Sequence, residues 1–138
     1  MMKVYWLPTI RSAMDLRSNN AKQALVYLKA AAPYDLGSPS QLQLGTLYPV
    51  WIRGQAYLAS HDGNSAAVEF QKFLDHRGIV INFPLGALAH LGLGRTYSMT
   101  GDSAKAKAAY QDFLALWKDA DPDIPILKEA KADYAKLQ

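Results

Sequence analysis

Apolar residues recur along most of this chain at spacings of three and four, and short polar stretches interrupt them at regular intervals. The clearest run is Ala106, Ala109, Tyr110, Phe113, Leu114 and Trp117, the stripe of one helix face. With the segment before it, residues 86–117 read as two amphipathic helices joined by a tight turn.

The same periodicity places the other elements. Met1 to Trp6 is short and apolar, and Pro8 suits a first helical turn. Ile10, Ala13, Met14 and Arg17 then keep helical spacing until Ser18, Asn19 and Asn20 break it. Ala21, Ala24, Leu25 and Leu28 form a second stripe that runs out at Ala32-Pro33, because a residue before proline is pushed from helical angles. Residues 34–46, with Gly37, Ser38, Pro39, Ser40 and Gly45, read as the longest loop.

A third helix is expected from Tyr48-Pro49 to about Ser60, then a turn over residues 61–64, with Asn64 or Ser65 capping the next helix. That fourth helix carries Ala66, Phe70, Phe73 and Leu74 and stops at His76-Arg77-Gly78. Residues 78–84 (GIVINFP) read as an extended connector, since no second strand-like segment exists to pair with them. A turn at 119–125 leads to a final helix from about Ile126, with Ala130, Tyr134 and Leu137 on one face, and the acids of the turn are expected to cap it.

Shifting the chain by 40 residues superposes its middle on its end. Gly54 falls on Gly94, Tyr57 on Tyr97, Ala66 on Ala106, Phe70 on Tyr110, and Phe73-Leu74 on Phe113-Leu114. Small residues let two helix backbones approach, and the aromatic residues fill the groove between them. Glycine inside a helix costs about 1 kcal/mol relative to alanine, so close packing has to offset it.

These positions resemble the tetratricopeptide repeat (TPR) family, whose pattern sets a small residue, a tyrosine three positions on, a small turn residue, an alanine and an aromatic. Gly94, Tyr97, Gly101, Ala106 and Tyr110 match it throughout. In the middle copy Gly54, Tyr57, Ala66 and Phe70 match, but His61 takes the turn position and Gly63 supplies flexibility two residues later. In the first copy Asn19, Ala24 and Leu28 keep the spacing, while Ser12 and Asp15 replace the small-then-Tyr pair. The period of 40 residues exceeds the family's 34 or so.

The resemblance implies an all-α fold: a TPR-like array of about three antiparallel helical hairpins (units near 8–33, 47–77 and 86–120), with a capping helix near 124–137, as one domain. More narrowly, LYPVWIRGQAYLA, FLDHRGIV and YQDFLALWKDADPDIPILKEAKADYAKL look similar to the C-terminal TPR region of bacterial serine/threonine protein kinases or winged-helix regulators. That likeness implies a sensory or scaffolding module of a larger signalling protein.

Composition narrows the function classes. Half the residues are apolar and a fifth charged, as in folded domains. The net charge is +3 without a run of four cations, so no nucleic-acid partner is indicated. The absence of cysteine excludes disulfides and thiolate chemistry. There is no signal-peptide core and no run near 18 apolar residues, so direct membrane insertion is not expected. The chain reads as soluble, cytoplasmic by default, or extracytoplasmic within a membrane-anchored parent. The doubled methionine and abrupt start suit a fragment of something longer.

Candidate chemistry is sparse. Gly92-Leu93-Gly94-Arg95-Thr96 lacks the third glycine and Lys-Ser/Thr of phosphate loops, and reads as close packing. Asp119, Asp121 and Asp123 alternate like a calcium loop, but Ile124 and Ala130 stand where glycine and glutamate belong. His61, His76 and His90 have no convergent nucleophile, although His90 lies on a helix surface lining a groove. Arg53 occupies a usually apolar position and reads as a snorkelling or ion-paired side chain, with a ligand-facing role as the alternative. No catalytic, cofactor or metal residue is assigned, and the chain is not read as an enzyme.

By analogy with the family, the groove face carries Trp6, Tyr48, Trp51, Ile52, Gln55, Leu88, Leu91, Arg95 and Ser98. The function read from the sequence is a protein-protein interaction module that binds a peptide or partner helix in this apolar groove. The alternative is a homodimer, self-associating through Val4, Trp6, Ile10 and Met14 of the first repeat.

Overall fold

Helices form where the apolar stripes predict them, and four of them open on a proline. Pro8, Pro49, Pro84 and Pro125 each sit in a first turn, where the missing N–H costs nothing. The computed structural model describes residues 2–37, 47–81 and 83–138. Its α-helices are α1 (Leu7–Arg17), α2 (Ala21–Leu28), α3 (Tyr48–Ala59), α4 (Gly63–Asp75), α5 (Arg77–Val80), α6 (Pro84–Thr100), α7 (Ser103–Leu116) and α8 (Pro125–Ala135). A wider π-type turn, Met2–Trp6, leads into α1. Among the described residues there is no strand, so the chain is all-helical.

The helices pack in sequence: α1 on α2, α3 on α4 and α6 on α7, with α2 and α1 against α3, α4 against α6, and α8 against α7. The turn inside each pair is the same object three times. Asn19, His61 and Gly101 adopt positive φ of 57°, 58° and 82°. The next residue's N–H reaches back to a carbonyl five positions earlier: Asn20 to Asp15 at 2.8 Å, Asp62 to Tyr57 at 2.9 Å, and Asp102 to Tyr97 at 2.9 Å.

The caps sit elsewhere than expected. Asp62 and Asp102, not Asn64 or Ser65, cap the second helices, their carboxylates accepting from the N–H of Ser65 (3.0 Å) and Lys105 (3.1 Å). His61 itself takes the left-handed turn, so Gly63 is not the flexible point. Gly63 lies inside α4, where a Cβ would fall 2.6 Å from the Thr100 methyl.

Glycine placement decides how closely the pairs stack. The ring of Phe70 lies between Gly54 on α3 and Gly92 on α6, where added Cβ atoms would come to 2.7 and 2.8 Å of it. A Cβ at Gly94 would stand 3.0 Å from the ring of Tyr110 on α7. Positions 92 and 94 are about 200° apart around a helix, so the pair of glycines admits one ring on each flank of α6. In the first pair Ser12 fills the small position. Its hydroxyl lies 2.8 Å from the Pro8 carbonyl and 2.9 Å from that of Ala24, stitching α1 to α2.

Burial then divides the interior. Val50, Phe70, Phe73, Ala89 and Leu93 centre one cluster, and Leu91, Tyr110, Phe113, Leu127 and Ala130 another. The first pair joins the rest through a seam of alanines, Ala21, Ala24 and Ala56.

Two connectors depart from the sequence reading. Residues 77–80 are a helical turn rather than extended chain. The Ile79 and Val80 N–H groups both donate to the His76 carbonyl, at 2.9 and 3.2 Å, which satisfies backbone that a lone strand would leave unpaired. The stop after α4 is therefore His76 itself, with φ −117° and ψ 46°, and Gly78 lies within α5. The second helix ends at Leu28 rather than near Ala32, and Ala32–Tyr34 forms a separate 3-10 turn. Most of the expected long loop, residues 38–46, lies outside the described residues.

Candidate interaction cleft

The expected groove face is only partly assembled. Trp6 and Tyr48 come together, ring centroids 6.1 Å apart, and Tyr48 continues to Phe83 at 5.6 Å. Trp51 turns inward with edge contacts to Phe70 (5.4 Å) and Phe73 (6.4 Å). Ile52, Gln55 and Leu88 are half-buried and Ser98 is exposed, its hydroxyl donating to the Gly94 carbonyl at 2.9 Å.

The other two are taken by α8. Leu91 is 1% exposed and packs with Leu127 and Ala130, so it presents no surface to a partner. Arg95 pairs with Glu129 (3.0 Å) and Asp133 (3.3 Å). The final helix covers this part of α6 because its apolar face needs burial, a need the sequence does not assign to a particular neighbour.

Arg53 is ion-paired. On α3 it reaches Glu69 of α4 at 2.9 Å and also Asp35, while Lys72 joins Glu69 at 2.9 Å and Asp35 at 3.6 Å. Two cations thus balance two carboxylates. Burial pushes the Asp35 carboxyl above its usual range although Arg53 and Lys72 pull it down. Burial also opposes the Arg53 charge, but Glu69 and Asp35 together raise its pKa.

The aspartates after α7 form no cap and no metal cluster. Asp121 accepts from the Asp123 N–H at 2.8 Å, Asp123 pairs with Lys128 at 2.8 Å, and Ile124, in the cap position before α8, supplies no side-chain cap. Among the described residues no group of side chains has metal-ligand spacing, and no helix is long and apolar enough to cross a membrane.

A different concavity opens at one end of the stack. The C-terminal ends of α4 and α7 flank the first turns of α6, and α5 swings the chain aside, leaving a cleft of about 740 Å³. Phe73 and Leu74 of α4, Val80 and Ile81, Ala87 and His90 of α6, and Ala115, Leu116 and Trp117 line it. Leu116 and Ile81 expose 60% of their surface at its rim. Ile81 also has φ of 51° and ψ of −128°, a strained backbone for a β-branched residue.

Its polar groups are few. His90 Nδ1 is 3.5 Å from Asp112 Oδ2. Burial lowers the His90 pKa, Arg77 lowers it further, and Asp112 only partly opposes them. The cation of the cleft at neutral pH is therefore Arg77, which is exposed and has no ion-pair partner among the described residues. Apolar walls, with Arg77 and the Asp112 carboxylate at the rim, suit an apolar segment with no fixed charge preference.

The sequence reading sets His90 on a helix surface lining the expected groove, whereas the structure puts it, largely buried, in this different cleft. The rest of the cleft is not legible in the sequence, because Val80 and Ile81 read as connector. The available signal was Leu116, an apolar residue off the α7 stripe. No family model, curated protein or solved structure matches the chain.

Proposed function

We propose that this chain is a protein-interaction module: a TPR-like array of antiparallel helix pairs that holds an apolar segment of a partner protein in the cleft between α4, α6 and α7. The observation that carries this reading is the cleft itself, with Leu116 and Ile81 exposed on its rim. Large apolar side chains left on a concave surface are a mark of interaction sites. The α3–α6 face is the weaker candidate, since α8 takes Leu91 and Arg95 from it. The repeated turn geometry and the resemblance to bacterial signalling proteins support placing the module inside a larger regulator.

The test is selection of peptides from a display library against the full chain, followed by isothermal titration. Bound peptides should carry a bulky apolar residue. Leu116→Asp, and Ala87→Trp to fill the cleft, should each weaken binding at least tenfold. If affinity falls instead with Gln55→Arg or Ser98→Arg, the partner sits on the α3–α6 face. If none of these changes affinity, the site is wrong.

A further inference from the structure

The first helix pair differs from the others in what covers its leading helix. With Asn20, Asp62 and Asp102 taken as equivalent, Ile10 of α1 corresponds to Ile52 of α3 and Gly92 of α6, and Met14 to Ala56 and Thr96. On α3 the Ala56 end of this face is covered by α2, packed against Ala21 and Ala24, and Ile52 is half-buried. On α6 it is covered by α4, whose Phe70 ring lies on Gly92, and Thr96 is wholly buried. On α1 no described helix takes that place. Leu7, Ile10 and Met14 are 37%, 53% and 65% exposed.

Charge also sets the first pair apart. Residues 1–34 hold five cations, Lys3, Arg11, Arg17, Lys22 and Lys29, against the single acid Asp15, whereas the remaining residues hold ten cations and eleven acids. The positive excess of the chain thus belongs to its first helix pair. At about 100° per residue, Arg17 and Arg11 fall on the two sides of the Leu7–Ile10–Met14 stripe. Arg11 also rests 5.9 Å from the centroid of the Tyr27 ring. None of the five cations has an ion-pair partner among the described residues.

We propose that this face docks an amphipathic helix of a partner protein, apolar along one stripe and acidic on its flanks. The two later helix pairs show what this position accepts: a helix from the preceding pair. The arginines select the charge of the helix that fits. A head-to-head second copy would set Arg11 and Arg17 against their own kind. A nucleic acid would gain nothing from the Leu, Ile and Met between them. This surface lies on the first pair, away from the α4–α6–α7 cleft and independent of it.

The test uses the full chain and a designed 18-residue helix with a leucine stripe and glutamate flanks, compared with the same helix flanked by lysine. Isothermal titration should show the glutamate helix binding at least tenfold tighter. Ile10→Asp with Met14→Asp should remove that binding at an unchanged melting temperature, since both side chains are already exposed. Arg11→Glu with Arg17→Glu should reverse the preference, and Leu116→Asp should leave it alone. Equal affinity for the two helices, or indifference to the α1 variants, overturns the proposal. So does an Ile10-dependent dimer in sedimentation, or uptake on phosphatidylserine vesicles without helix binding.

Discussion

The ring of Phe70 occupies the space that a side chain at position 92 would need, so that a Cβ there would fall 2.8 Å from it. Two residues on, Gly94 stands in the same relation to Tyr110, at 3.0 Å. The Gly-Leu-Gly stretch is therefore a packing device that lets α6 accept a ring on each side. Gly92→Ala improves helix propensity by about 1 kcal/mol and should nonetheless destabilise the chain, by roughly 1–3 kcal/mol from overpacking. Thermal denaturation checks this, with Gly92→Ala/Phe70→Leu recovering part of the loss. Gly78→Ala, where a Cβ would meet nothing within 4 Å, should not destabilise.

The three turns offer an internal control. His61 and Gly101 hold equivalent positive-φ positions, at 58° and 82°, but only glycine does so without steric cost. Changing His61 to glycine should raise stability and changing Gly101 to alanine should lower it, each by about 1 kcal/mol. Opposite signs in urea midpoints are the expected result. Equal signs would mean that the turns are not equivalent.

How far the sequence alone reveals each feature depends on how local that feature is. Helix positions and the alanine and aromatic contacts of the later pairs come from spacing and residue type, whereas Arg53 is marked there only as a charge at an apolar position and its partners are not. Nor does the cleft come from spacing, because it depends on α5 turning the chain aside, and Ile79, Val80 and Ile81 fit a strand pattern as well as a helical turn. Leu91 and Arg95 are missing from the open groove for a related reason. The family analogy places them on an open face, but α8 lies on it, and a helix does not declare its neighbour in its own residues.

The Arg53 cluster should resist single substitutions poorly. Arg53→Met leaves Asp35 and Glu69 buried with only Lys72 to balance them, and breaking a buried pair in this way costs on the order of 3–5 kcal/mol. Chemical denaturation measures it. Arg53→Met combined with Glu69→Leu and Asp35→Asn should cost less than Arg53→Met alone, because the stranded charges are gone.

His90 gives the fold a pH dependence with a definite sign. Its folded pKa is depressed from 6.5, by burial first and Arg77 second, so the unfolded chain takes up the proton more readily. The His90 contribution is therefore complete above 6.5 and declines as the pH falls through the lower folded value. Melting temperatures between pH 7 and 5 should fall more steeply for the wild type than for His90→Asn. Parallel profiles would show that the ring is solvated.

If the cleft bounded by α4, α6 and α7 receives the partner, its backbone amides must respond when a peptide binds. NMR of the full chain during titration with a display-selected peptide reads this residue by residue. The largest shifts should fall at residues 73–90 and 112–117, including Leu116 and His90. Shifts confined to Tyr48, Ile52, Gln55 and Ser98, with the cleft amides unmoved, would place the partner elsewhere and refute the assignment.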